Sequence, residues 1–158
     1  MKISLNGGGV ASERSISALE ALIGQPLDQS YRNFVAENDG AMPESNTFPV
    51  NGINNFGGVN EFTPVEDIIA ERTHFENIGP KAYPVALSEG GNYVVLDQAQ
   101  GGAIYFWDHE LDEFSRIADS FAEFLDLIEP FDISSVKLAP GQVKSAWIDP
   151  DFLKQFGD

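Results

Sequence analysis

The sequence predicts an α+β domain: a mainly antiparallel sheet of about four to six strands, with an N-terminal helical hairpin, a middle helix and a C-terminal helix packed around it. Three observations carry this. Apolar runs of strand length recur between residues 83 and 118, separated by Gly-rich turns. Those connections are too short for a parallel return, which needs a crossover of a dozen or more residues. An amphipathic stretch with its own start signal then follows the last run directly.

The strands fall at 83–87, 93–96, 103–107 and 114–118, with turns at 88–92 and 98–102 and a polar loop at 108–113. Their β-branched and aromatic side chains suit a pleated, half-buried surface. Ser120 caps the closing helix, and Glu123 has capping-box spacing to it. Phe121, Phe124, Leu125 and Ile128 recur at i, i+3, i+4 and i+7. Pro130 disfavours helix at Glu129 and ends the run.

Upstream, residues 1–15 read as a flexible arm; the Gly7-Gly8-Gly9 run shows no periodicity. A first helix starts between Ser12 and Ser17, where Ser17 and Glu20 have capping-box spacing, and carries Ile16, Leu19, Leu22 and Ile23 to a stop at Gly24. Asp28 or Ser30 caps a second helix with Tyr31, Phe34 and Val35 on one face, closed by Asn38-Asp39-Gly40. Residues 47–50 suit an edge strand, where Pro49 is tolerated. Residues 51–60, with four Asn and three Gly, read as an exposed loop. Thr63, Pro64 and Glu66 mark the start of a third helix running to about Phe75 and burying Val65, Ile68, Ile69 and the stem of Arg72. The domain is expected over 16–130. Residues 131–158 read as an extension packed on it, with a short helix after Asp149-Pro150.

A chain of 158 residues buries enough surface to hold a core without staples. It has no cysteine, which excludes disulfides, thiolate metal sites and a Cys nucleophile. No leader or spanning run is evident, so the expected compartment is the cytoplasm. Nine basic against 25 acidic residues give a net charge of −16. A field of that sign repels nucleic acid and anionic membrane and speeds encounter with basic partners. The charge is uneven: residues 108–132 hold nine acids against Arg116 alone. An acidic patch is expected around the closing helix and the loop before it.

Signals of catalysis are missing. His74 and His109 form no H-E-x-x-H pair, and Asp108-His109-Glu110 reads as a solvated loop tip rather than a cation site. There is no G-x-S-x-G, and the triple glycine lacks the rest of a phosphate loop. Tyr105 and Trp107, two apart, share a strand face. Core packing accounts for them better than a sugar-stacking platform does. No catalytic residue, cofactor or metal is assigned.

The segments Leu19-Glu20, Leu27-Asp28-Gln29-Ser30-Tyr31-Arg32-Asn33-Phe34-Val35 and Asn38-Asp39-Gly40 resemble the N-terminal signature of the SUKH superfamily. The later landmarks follow in order: the capped third helix, the strand pair from Gly91-Asn92-Tyr93 to Asp97, and Ile117-Ala118-Asp119-Ser120-Phe121-Ala122-Glu123-Phe124-Leu125. The resemblance covers about residues 16–128, with Asp28 in place of the usual proline and Asp39 in place of a frequent glycine. It implies a non-enzymatic protein-binding domain. For bacterial members it implies an immunity protein that neutralises a cognate toxin, often a basic nuclease, by occlusion; the fungal relatives imply a regulatory scaffold instead. On this reading Asp108, Glu110, Asp112 and Glu113 are the candidate partner contacts. A hydrolase working through paired carboxylates is the remaining alternative.

Overall fold

The computed structural model describes residues 3–51 and 55–130. Its strands are β1 (Leu5–Asn6), β2 (Met42–Pro43), β3 (Thr47–Pro49), β4 (Phe56–Phe62), β5 (Ala82–Ser88), β6 (Tyr93–Asp97), β7 (Ala103–Asp108) and β8 (Glu113–Ala118). The helices are α1 (Glu13–Ile23), α2 (Gln29–Asn38), α3 (Val65–Glu71) and α4 (Phe121–Leu127). β3 to β8 form one sheet in sequence order, every pair antiparallel. β1 and β2 make a separate two-stranded sheet. The α+β class and the expected helical hairpin, middle helix and closing helix are all present.

All four helices send side chains to one face of the large sheet. Ile16, Leu19 and Ile23 of α1, Tyr31, Phe34 and Val35 of α2, Val65 and Ile68 of α3, and Phe121, Phe124 and Leu125 of α4 pack with Tyr83, Val85, Val94, Leu96 and Ile104. Phe121 is the junction, with Tyr31 and Phe34 each 5.2 Å away at edge-on angles. Offset and edge-on geometries of this kind suit the ring quadrupoles. Ser120 accepts from Glu123 N at 3.1 Å, and Glu123 Oε2 accepts in turn from Asp119 N at 2.7 Å. The closing helix therefore starts and buries its phenylalanines as its spacing required.

Several expectations are corrected. β4 occupies much of the stretch expected as an exposed loop, and it pairs with both β3 and β5. Its glycines serve close approach: a Cβ on Gly57 would lie 2.5 Å from Phe48 Cζ. The N-terminal residues expected as a loose arm are paired, Leu5 with Pro43 and Gly9 with Asp39, and Ile3 and Ala11 are buried. The cap of α1 is Ser12, which accepts from Ser15 N at 3.1 Å, rather than Ser17. Glu20 instead bonds Arg32 at 2.8 Å and the Leu27 amide at 3.0 Å, joining α1 to α2.

At α3 the expected Thr63 cap makes no such bond; the Thr63 hydroxyl is buried without a partner among the described residues. Asp39, just past α2, reaches across and accepts from Val65 N at 2.9 Å. Leu22 and Ile69, expected on buried faces, are exposed. The expected extension at 131–158 lies outside the described residues.

A polar hub fastens the helical hairpin to the sheet. Gln98 Oε1 accepts from Asp28 N at 2.9 Å and from the Tyr83 hydroxyl at 2.7 Å, while Gln98 Nε2 donates to Pro26 O at 2.9 Å. Burial pushes the Tyr83 hydroxyl pKa far up, so it stays a neutral donor.

Candidate aromatic cleft on the second face of the sheet

β5, β6 and β7 are apolar on both faces. Tyr93, Val95 and Trp107 point away from the helices, because side chains alternate across a strand. Register places Tyr93 opposite Trp107, Val95 opposite Tyr105, and Trp107 opposite Phe114. Among the described residues no helix covers them. Their cover is the segment after α3, which carries Phe75 and Ile78. Phe75 lies 4.3 Å from Trp107 and 5.3 Å from Tyr93 by ring centroids. Arg72 fixes this segment, donating from Nε to Ala82 O at 2.9 Å and from Nη2 to Gly79 O at 3.1 Å. Burial lowers the Arg72 pKa, but the group starts so basic that it remains a cation.

The cover is incomplete and leaves two open clefts. One, of about 240 Å³, runs past Ile78, Val95, Asp97, Tyr105 and Phe114. The other, of about 530 Å³, has Tyr93 and Trp107 as its aromatic wall, with His74, Glu76, Gly91, His109 and Asp112 around them. The Tyr93 hydroxyl donates to Glu71 Oε2. Burial first, then the bond and charge of Glu71, raise the Tyr93 pKa. The Trp107 indole donates from Nε1 to Asp112 Oδ1 at 2.9 Å. Asp112 sits at φ 51°, a left-handed conformation that Asp adopts more readily than most side chains.

The four expected contact residues are not equivalent. Asp112 alone lines the larger cleft. Asp108 Oδ1 is occupied by the loop itself, accepting from Glu110 N at 2.9 Å and Leu111 N at 3.3 Å. Glu110 and Glu113 are exposed, Glu113 opposite Asp108 at the mouth of the hairpin. Leu111, at the loop tip, is 66% exposed. His109 is held by Asn92, whose Oδ1 lies 3.0 Å from the His109 amide and 2.8 Å from its Nδ1. Arg116 pairs with Asp119 at 2.9 Å, and that bond raises its pKa. Asp132, counted in the acidic stretch, lies outside the described residues. Among the described residues no group of three His, Asp or Glu side chains is arranged to hold a metal ion.

Reasoning from sequence missed Phe75, Glu76 and His74 as parts of this face. One signal pointed to it: Tyr93-Val94-Val95-Leu96 is apolar without alternation, as in strands buried on both sides. A second covering layer was therefore required.

These features define a class: an α+β domain with one sealed helical face and one partly covered, aromatic, acid-flanked face. The sequence model of the SMI1 / KNR4 family (SUKH-1) matches residues 10–127, and the chain belongs to that family. It is also similar to the SPbeta prophage-derived uncharacterized protein YokK of Bacillus subtilis (strain 168), 40% identical over 57 residues. That stretch covers 34% of this chain and 29% of the relative. Among the described residues no helix is long and apolar enough to cross a membrane.

Proposed function

We propose that this protein is an immunity protein, binding a cognate toxin domain with a basic, nuclease-type surface and neutralising it by occlusion, without catalysis of its own. The observation that carries this is the second sheet face, where a partly covered aromatic layer is flanked by carboxylates in a chain of net charge −16. Aromatic anchors in a desolvated setting dominate most interfaces, and charge complementarity speeds encounter. Asp108, Glu110, Asp112 and Glu113 are the proposed acidic contacts around the β7–β8 loop. A relative of prophage origin supports a role in protection over one in cell-wall regulation.

The test is to express the toxin-like product of an adjoining reading frame with and without this protein. Growth should return when the protein is co-expressed. The purified pair should form a one-to-one complex whose association rate falls as salt rises, because exposed charges are screened beyond about 8 Å at physiological ionic strength. A toxin fully active in the presence of excess protein would remove the proposal. Capture of several unrelated cellular proteins with no relief of toxicity would favour the scaffold reading.

A further inference from the structure

The larger cleft has a composition that a general protein-docking surface does not require. Its wall is Tyr93 and Trp107, with ring centroids 5.9 Å apart. His74 lies nearly parallel to Tyr93, at 6.2 Å and 21°. Two carboxylates, Glu76 and Asp112, share the lining with Gly91 and His109, and among the described residues no Lys or Arg lines it. Trp107 takes one oxygen of Asp112 and leaves the other for an incoming donor. Asn92 Oδ1 already accepts from the His109 amide, so it also takes the Nδ1 proton; the neutral ring then keeps Nε2 as an acceptor. Aromatic faces, free carboxylate oxygens and an imidazole acceptor together suit a cation that is flat and carries several donors.

We propose that this cleft receives an arginine side chain of the protein partner, its guanidinium lying against the Tyr93–Trp107 wall and donating to Asp112 and Glu76. Arginine fits better than lysine. Its planar guanidinium stacks on aromatic faces and presents five N–H donors in a fixed fork, whereas an ammonium is a compact, strongly hydrated point charge. The cleft of about 530 Å³ has space for one long side chain and the backbone that presents it. The inference rests on the proposed function for the basic character of the partner, and adds the anchor residue and its seat.

The experiment uses the full chain and the capped peptide acetyl-Gly-Arg-Gly-amide, at about pH 8. The Trp107 indole N–H resonance, assigned by its loss in Trp107→Phe, should shift saturably with the peptide. The isosteric citrulline peptide, which is uncharged, should bind about tenfold more weakly. Asp112→Asn and Glu76→Gln should each weaken the arginine peptide about threefold. Asn keeps the left-handed backbone at position 112, and an unchanged urea midpoint shows the fold intact.

An equal response to the citrulline or a leucine peptide would overturn the arginine seat. So would no shift up to about 20 mM peptide, well above the concentration at which even a millimolar site fills. The same two variants distinguish this idea from the one it rests on. A toxin that binds them as tightly as the parent removes the seat and leaves the immunity reading standing. Peptide recognition without any toxin neutralised does the reverse.

Discussion

On the helix-covered face of the sheet, Phe121 and Phe124 have no exposed surface and touch aromatic rings from α2, β3 and β4. On the opposite face Phe75, Tyr93 and Trp107 are 8%, 8% and 6% exposed, little different by that measure. The cover differs far more. Four helices of the described residues close the first face, three of them with side-chain caps of their own: Ser12 on α1, Asp28 on α2 and Ser120 on α4. Among the described residues the second is closed by one short segment, held through Arg72, that leaves Tyr93 and Trp107 lining an open cleft. Similar burial can therefore come from a cooperative core or from a thin cover, and only the second kind leaves aromatic surface available to another molecule.

The comparison breaks most readily at its two central phenylalanines. Phe121→Ala should cost about 4 kcal/mol in urea unfolding, because the four-helix face cannot collapse into the hole. Phe75→Ala should cost about 2 kcal/mol, because its segment lies at the surface and can relax. Partner binding should respond in the opposite order, with Phe75→Ala impairing it more per unit of stability lost. Equal costs in unfolding would mean that the second face is as much a core as the first.

Gln98→Ala sharpens the comparison at the seam between helices and sheet. It strands the Asp28 amide, the Tyr83 hydroxyl and Pro26 O at once. A loss of about 1.5 kcal/mol is expected, since buried donors left without acceptors carry their full desolvation cost. Hydrogen exchange at α1 and α2 should quicken, while protection in β6 and β7 stays as in the parent. Uniform loss of protection would show that the hairpin and the sheet open as one unit.

The first face was written in the sequence in a form that local rules can read. Phe121, Phe124 and Leu125 repeat at helical spacing behind Ser120, and Tyr31, Phe34 and Val35 behind Asp28, so short-range periodicity named the buried side. β4 was hidden for the opposite reason. Gly57 and Gly58 look like loop residues, yet their missing side chains make room for Phe48 and Glu89, neighbours that only tertiary structure supplies. The second face failed the same way: Phe75 was expected at the end of the third helix, which instead stops at Glu71, and it meets Trp107 across a gap of 32 positions. Acidic residues were legible as a patch, but not which of them the fold would spend internally. Asp108 turned out to close its own loop, while Asp112 was turned toward the cleft by a left-handed backbone.

The smallest expected effect concerns Asp39, which links the end of α2 to the start of α3. Burial raises its pKa above the ordinary carboxylate value of 3.8; the bond from Val65 lowers it, and the charges of Glu66 and Asp67 raise it further. Since the folded value lies above the unfolded one, the native state holds this proton more tightly. Asp39's favourable contribution is thus present below pH 3.8 and is lost as the pH climbs through the raised folded value. Asp39→Asn keeps an oxygen for the Val65 amide and removes the buried charge. It should match the parent at about pH 3 and be the more stable of the two near neutrality, read from urea midpoints. Asp39→Ala should lose about 1 kcal/mol at about pH 3, since the amide loses its cap, and less near neutrality, where it also removes the buried charge. If Asn were as damaging as Ala near neutrality, the negative charge itself would be what holds the first turn of α3, through the dipole of that turn. The burial cost of Asp39 would then be outweighed by the helix it faces.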